Sequence, residues 1–155
     1  MSAGSKTPKV GGPRSAARLA AVQALYQLDM SDEPKAKMVV EEYVNHRLGQ
    51  EIEGDQYVAA DANLFSDVVL GAWERREEID GTLTSCLSSD WPLDRLEKLI
   101  HAIFRAGGYE LVARPDVPTA VIINEYVDVA HGFYERTEAS FVNGVLDRFA
   151  KAVRT

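Results

Sequence analysis

Residues 116–154 read DVPTAVIINEYVDVAHGFYERTEASFVNGVLDRFAKAVR, and their pattern decides the fold class. Pro118 stands where the first turn of a helix favours proline. Behind it, Val121, Ile122, Tyr126, Val129, Ala130 and Phe133 recur at three- and four-residue steps and predict one buried helix face. A second helix is predicted over Glu138–Val153 with Thr137 as its N-cap. Its stripe is Val142, Val145, Leu146, Phe149 and Val153. Set among them is Phe141-Val142-Asn143-Gly144-Val145-Leu146-Asp147. Phe and Asn are mediocre helix formers, and an interior Gly costs about 1 kcal/mol relative to Ala. A helix that keeps all three uses them for close packing or for recognition, and Asn143 and Gly144 are assigned to packing. At about 100° per residue, Phe141 falls roughly 100° from the centre of the stripe and Arg148 roughly 120°, on the same flank. That flank has two readings. Phe141 packs on a neighbouring helix with Arg148 in solvent, or an exposed aromatic beside a cation stacks on an unpaired base next to a phosphate.

Working outward, the same helical rhythm fills the chain. Leu19, Val22, Leu25 and Tyr26 mark a helix from Ser15 to Asp29, and Val40, Tyr43, Val44 and Leu48 one from Lys35 to Leu48, with Gly49 as its C-terminal cap. Residues 50–56 read as a polar loop. Val58, Ala62, Phe65, Val69, Ala72, Ile79, Leu83 and Cys86 form a long stripe predicted to break near Gly81. Leu96, Leu99, Ile100, Ile103, Phe104 and Leu111 mark a helix over Leu93–Ala113, after a turn at Ser88-Ser89-Asp90-Trp91-Pro92. No alternating strand pattern, βαβ rhythm or internal repeat occurs. The expectation is an all-α fold of about seven helices. A basic, flexible tail (1–13) precedes a single domain (14–155) whose subdomains divide at about 88 and 89.

The 155 residues are enough for one substantial core. No apolar run is long enough to span a membrane and the N-terminus lacks a signal-like apolar segment. A lone Cys86 excludes an intrachain disulfide and fits a reducing cytoplasm. The net charge of −7 argues against a protein that coats nucleic acid broadly. Charge is unevenly placed, however: Lys6, Lys9, Arg14 and Arg18 stand in the first 28 residues with no acid among them. Such asymmetry marks an interaction arm or a plain solubilising tail. Arg14 and Arg18 are one helical turn apart, near a helix N-terminus where cations are mildly unfavourable, which tilts their reading toward an anionic partner.

Catalytic chemistry finds no foothold. The histidines are His46, His101 and His131, with no HExxH and no CxxC, so no metal site is expected. His131 and Glu135 are an ordinary helical pair. No GxSxG or SxxK occurs, and no Gly-rich phosphate loop. An enzyme is not expected.

Five segments in order resemble the NusB family of bacterial transcription antitermination factors. They are Ala21-Val22-Gln23-Ala24-Leu25-Tyr26, Arg105-Ala106-Gly107-Gly108-Tyr109-Glu110-Leu111, Asp116-Val117-Pro118, Ile123-Asn124-Glu125, and the Phe141–Asp147 segment. The resemblance covers most of the chain and implies two small helical subdomains, no cofactor and no catalysis. It implies binding of boxA, a single-stranded RNA element of ribosomal RNA leaders, jointly with a small-subunit ribosomal protein, NusE. The assembly acts on RNA polymerase so that it reads through terminators. Carried over by motif, Arg14, Arg18, Arg105, Thr137, Ser140, Phe141 and Arg148 are expected at the RNA, and Tyr26 and Asp94 at the ribosomal protein. Arg105 is expected to reach a phosphate or core carbonyls. The family often opens on a dense arginine run; here only Arg14 and Arg18 stand, so weak RNA binding alone and stronger binding with the partner are expected.

Alternatives stay open. A NusB-like domain also heads some ribosomal-RNA cytosine methyltransferases, although this chain stops just after its last helix. A protein-interaction adaptor without an RNA role is the other reading, and a homodimer that covers the RNA face is open too.

Overall fold

The computed structural model describes residues 12–48 and 60–154. Most of the expected tail, the Gly49 cap, the polar loop and the Val58 start of the long stripe lie outside those residues. The described residues form seven α-helices, with no strand among them: α1 (Pro13–Asp29), α2 (Ala36–His46), α3 (Ala62–Glu74), α4 (Arg76–Cys86), α5 (Lys98–Ala113), α6 (Thr119–His131) and α7 (Arg136–Val153).

The first turns follow local chemistry. Pro13 opens α1, where its fixed φ suits a helix and its missing N–H costs nothing. Asp61 caps α3, its Oδ1 accepting from the Leu64 N–H at 3.0 Å. The Asp61 N–H donates to the Pro13 carbonyl at 3.0 Å, so the starts of α1 and α3 are tied together.

The core is built around α5. Every residue from Ile100 to Leu111 is buried, as expected of a helix surrounded by others. It packs against α1, α3, α4, α6 and α7. Gly107 and Gly108 permit that crowding: a Cβ at Gly107 would stand 3.3 Å from Leu146 and Tyr126, and one at Gly108 would stand 2.9 Å from Phe149 Cζ and 3.1 Å from Ile79 Cγ2. Helices α5 and α7 run parallel, since Phe104 meets Phe141 and Arg154 reaches the Leu111 carbonyl at their far ends. α1 runs antiparallel to α5, because Arg18 pairs with Glu110 while Asp29 reaches Lys98.

Several boundaries differ from the sequence pattern. The long stripe breaks at Arg75, not near Gly81. Gly81 is exposed with nothing within 4 Å of a Cβ, and α4 passes through it unbroken. At the real break, Arg76 donates to the Trp73 carbonyl and lies 4.0 Å over the Trp73 ring, satisfying an acceptor the interrupted helix frees. Leu93–Arg95 is a short 3-10 turn, and Leu96 and Glu97 are extended, so α5 begins at Lys98. α7 starts two residues early with Glu135 at its N-cap, which places Thr137 inside the helix rather than capping it. Five residues of the expected apolar stripes are exposed instead: Leu19, Tyr26, Val44, Val121 and Phe133. Gly144 and Asn143 do not serve close packing. Asn143 is exposed, and a Cβ at Gly144 would meet only Arg148 Nη1, at 3.7 Å.

Candidate nucleic-acid interface

Four residues of α7 make one stripe. Thr137, Phe141, Gly144 and Arg148 follow i, i+4, i+7, i+11 spacing and share a face, with Ser140 beside Phe141. Thr137, Ser140 and Arg148 are exposed. Phe141 is half-buried: its ring meets Phe104 edge-on, centroids 5.8 Å apart at 62°. The packing reading of Phe141 therefore holds in part. One side rests on α5, as such aromatic pairs prefer, and the rest stays open. Gly144 leaves an indentation next to it. Arg148 is fixed by its Nε–H donating to the Cys86 carbonyl at 2.9 Å, with Nη1 lying over Gly144.

Phe133 joins this end of the molecule. Its apolar spacing places it on the buried face of α6, but α6 stops at His131 and Phe133 is 45% exposed in the following turn. The helix ends in the turn at Gly132, before the apolar spacing does. The next residue, Tyr134, hydrogen-bonds Glu97 and anchors the turn to the start of α5.

Arg18 does not stand on a surface. It is 3% exposed, and its guanidinium grips Glu110 with two bonds, Nε to Oε2 at 2.7 Å and Nη2 to Oε1 at 2.9 Å. Nη1 reaches Glu125 at 3.3 Å, Tyr126 donates to Glu110 at 2.6 Å, and Ser15 donates to Glu125 at 2.7 Å. Burial works against the Arg18 charge, but the Glu110 hydrogen bonds and charge outweigh it and raise the pKa. The assignment of Arg18 to RNA is thus corrected: its donors are committed to carboxylates, and it locks α1 to α5 and α6.

Arg105 is corrected in the same way. Its donors reach carboxylates rather than core carbonyls. Its Nη2 and Nε donate to Asp80 at 2.7 and 3.2 Å, and Nη1 to Asp29 at 3.5 Å. His101 Nε2 shares Asp80 at 2.8 Å. Burial tends to raise the Asp80 pKa, yet hydrogen bonds from His101 and Arg105 prevail and lower it. Both corrections have one cause: a buried cation must be paired, and α5 buries its polar side chains with the rest.

Arg14 remains exposed, with no carboxylate partner among the described residues. It lies one turn beyond Arg18, which is level with Glu110, whereas Phe141 is level with Phe104. The two are thus separated by roughly 15 Å along the helix axes. A strand touching both must run lengthwise over the molecule.

Tyr26 is 39% exposed and Asp94 is exposed. They lie at one end: Asp29, one turn after Tyr26, pairs with Lys98 at 3.5 Å, and Asp94 is in the 3-10 turn four residues before that start of α5. No helix among the described residues is long and apolar enough to cross a membrane.

The chain is similar to proteins of one family along nearly its whole length. Residues 15–151 match the NusB family. The chain is 54% identical over 144 residues to a transcription antitermination protein NusB of Novosphingobium aromaticivorans, covering 93% of this chain and 97% of that protein. It is 49% identical over 146 residues to one of Rhizobium rhizogenes, covering 94% and 91%. Among solved structures, T. maritima NusB superposes with a TM-score of 0.73 at 28% identity, covering 90% of this chain and 91% of that one. A complex of antitermination factors NusB and NusE with dsRNA shares the fold, with a TM-score of 0.71 at 24% identity over 89% of this chain and 96% of that one. With its order of helices, its crowded central α5 and nearly its whole length matched, the chain belongs to the NusB family.

Proposed function

We propose that this chain is a transcription antitermination factor without catalytic activity that works in the cytoplasm. It binds single-stranded boxA RNA of ribosomal RNA leaders together with ribosomal protein NusE, as part of the complex that lets RNA polymerase read through terminators. One observation carries the RNA reading. The α7 flank offers a half-open aromatic, two exposed hydroxyls and an exposed cation, with neither the cation nor the hydroxyls tied to a carboxylate among the described residues. That set suits a stacked base with a phosphate beside it. Thr137, Ser140, Phe141 and Arg148 form the proposed RNA contacts, with Phe133 added and Arg14 at the far end. Arg18 and Arg105 hold the scaffold. Tyr26 and Asp94 are proposed to face NusE.

With two arginines expected at the start and one of them buried, few phosphates are neutralised, so the chain alone binds RNA weakly. Fluorescence anisotropy with boxA-like and scrambled RNAs, with and without NusE, at two salt concentrations tests this. Preference for the boxA-like strand, tightened by NusE, is expected. Equal affinity for both RNAs, or no gain from NusE, would overturn the reading.

A further inference from the structure

The segment between α4 and α5 borders the α7 flank. One end is fixed where Arg148 binds the Cys86 carbonyl, and the other where Tyr134 binds Glu97. Arg148 and the start of α7 at Arg136 are roughly 18 Å apart along the helix, a span the intervening residues cover easily. The segment is thus anchored beside both ends of the stripe that carries Thr137, Phe141, Gly144 and Arg148, with its 3-10 turn resting on α4. Leu87, Leu93 and Leu96 turn inward onto the core. Trp91 turns outward and is 49% exposed.

Arg95 lies over the Trp91 ring, its guanidinium carbon 5.4 Å from the centroid. The segment also contains Asp90, Asp94 and Glu97. Among the described residues, Arg95 nevertheless has no carboxylate within ion-pair distance. Its charge is held against an aromatic face, and its hydrogen-bond donors are left available. A ring with a cation at its face, edging a surface that already carries an aromatic and a cation, repeats the same recognition chemistry.

We infer that Trp91 and Arg95 form a second base-stacking and phosphate contact, which takes a nucleotide of the strand next to the one at Phe141. The inference rests on the RNA-binding reading. It adds residues outside the α6–α7 region, and it makes the segment between α4 and α5 part of the RNA surface.

The test uses the full chain with NusE and the same boxA-like RNA. Trp91 is one of only two tryptophans; the other, Trp73, is partly buried between Arg76 and Arg105. RNA is expected to quench the tryptophan emission of the wild type, and most of that quenching should vanish in Trp91→Phe. Trp91→Ala should weaken RNA binding about tenfold or more, and Trp91→Phe should retain most of the affinity. Arg95→Ala should lower the salt slope by about 0.7. Circular dichroism and urea unfolding establish that each variant is folded. Wild-type RNA binding with unchanged affinity in Trp91→Ala and Arg95→Ala overturns this inference alone. Loss of NusE affinity by Trp91→Ala in the absence of RNA overturns it in favour of a protein contact. Failure of the wild type to bind RNA at all overturns the RNA reading, and this extension with it.

Discussion

Arg18→Ala separates a scaffold arginine from an RNA-binding one. In the wild type the Glu110 carboxylate is fully buried and receives two bonds from Arg18 and one from Tyr126. Removing Arg18 leaves a buried charge with a single neutral donor. Breaking such a pair from one side costs about 3–5 kcal/mol, a large part of a typical total stability of about 5–15 kcal/mol. For a chain of this size each 1 kcal/mol moves Tm by roughly 2–4 °C, so a fall of about 6–20 °C is expected. Urea and thermal unfolding followed by circular dichroism measure it. The triple variant Arg18→Met, Glu110→Leu, Tyr126→Phe removes the cation, its principal carboxylate and the hydroxyl together, and should recover much of the loss, because an apolar replacement of a buried pair is often neutral. RNA affinity of the triple variant, measured well below its Tm, should match the wild type. A stable Arg18→Ala protein that has lost RNA binding would refute the reasoning and return Arg18 to the RNA surface.

Two glycines of the family signatures should respond oppositely to alanine. Gly108→Ala pushes a Cβ to 2.9 Å from Phe149 and should destabilise by about 1–3 kcal/mol in urea unfolding. Gly144→Ala meets only Arg148 at 3.7 Å and should stabilise by about 0.5–1 kcal/mol; a loss of stability there would contradict the open indentation. Phe141→Ala should weaken RNA binding about tenfold and also lower stability, whereas Phe141→Leu, measured by the same anisotropy, should keep more of the stability while losing the stacking. Burial first, and then the Glu110 charge, raise the Tyr126 pKa, so the folded state holds a proton that the unfolded chain releases above about pH 10. Stability should therefore be intact below that pH and fall as pH rises through the alkaline range. Tyr126→Phe, although less stable near neutrality, should show a shallower alkaline decline, and an unchanged slope would argue against the network.

Helix identity was largely legible because amphipathic periodicity is written into neighbouring residues. Tyr126, Val129, Val142, Leu146 and Phe149 are buried where their spacing placed them. Boundaries slipped where the deciding group was a side chain folding back, as Arg76 does onto the Trp73 carbonyl. Val121 and Phe133 were misplaced because apolar spacing does not report where neighbouring helices stop covering a face.

The candidate site was legible in a different proportion. The flank that carries Phe141 and Arg148 follows from the helical wheel alone, and the order of motifs pointed to the family. Which arginines are free does not follow from either. Arg14 and Arg18 are one turn apart and look equivalent in sequence, yet Arg14 is exposed and Arg18 lies against Glu110, a residue 92 positions away. Sequence by itself determined the helices, the core stripes and the flank of α7. Only the tertiary structure decided which charges neutralise one another inside, since an ion pair depends on a meeting of helices distant in the chain. The same packing selected the charges left outside to meet a partner.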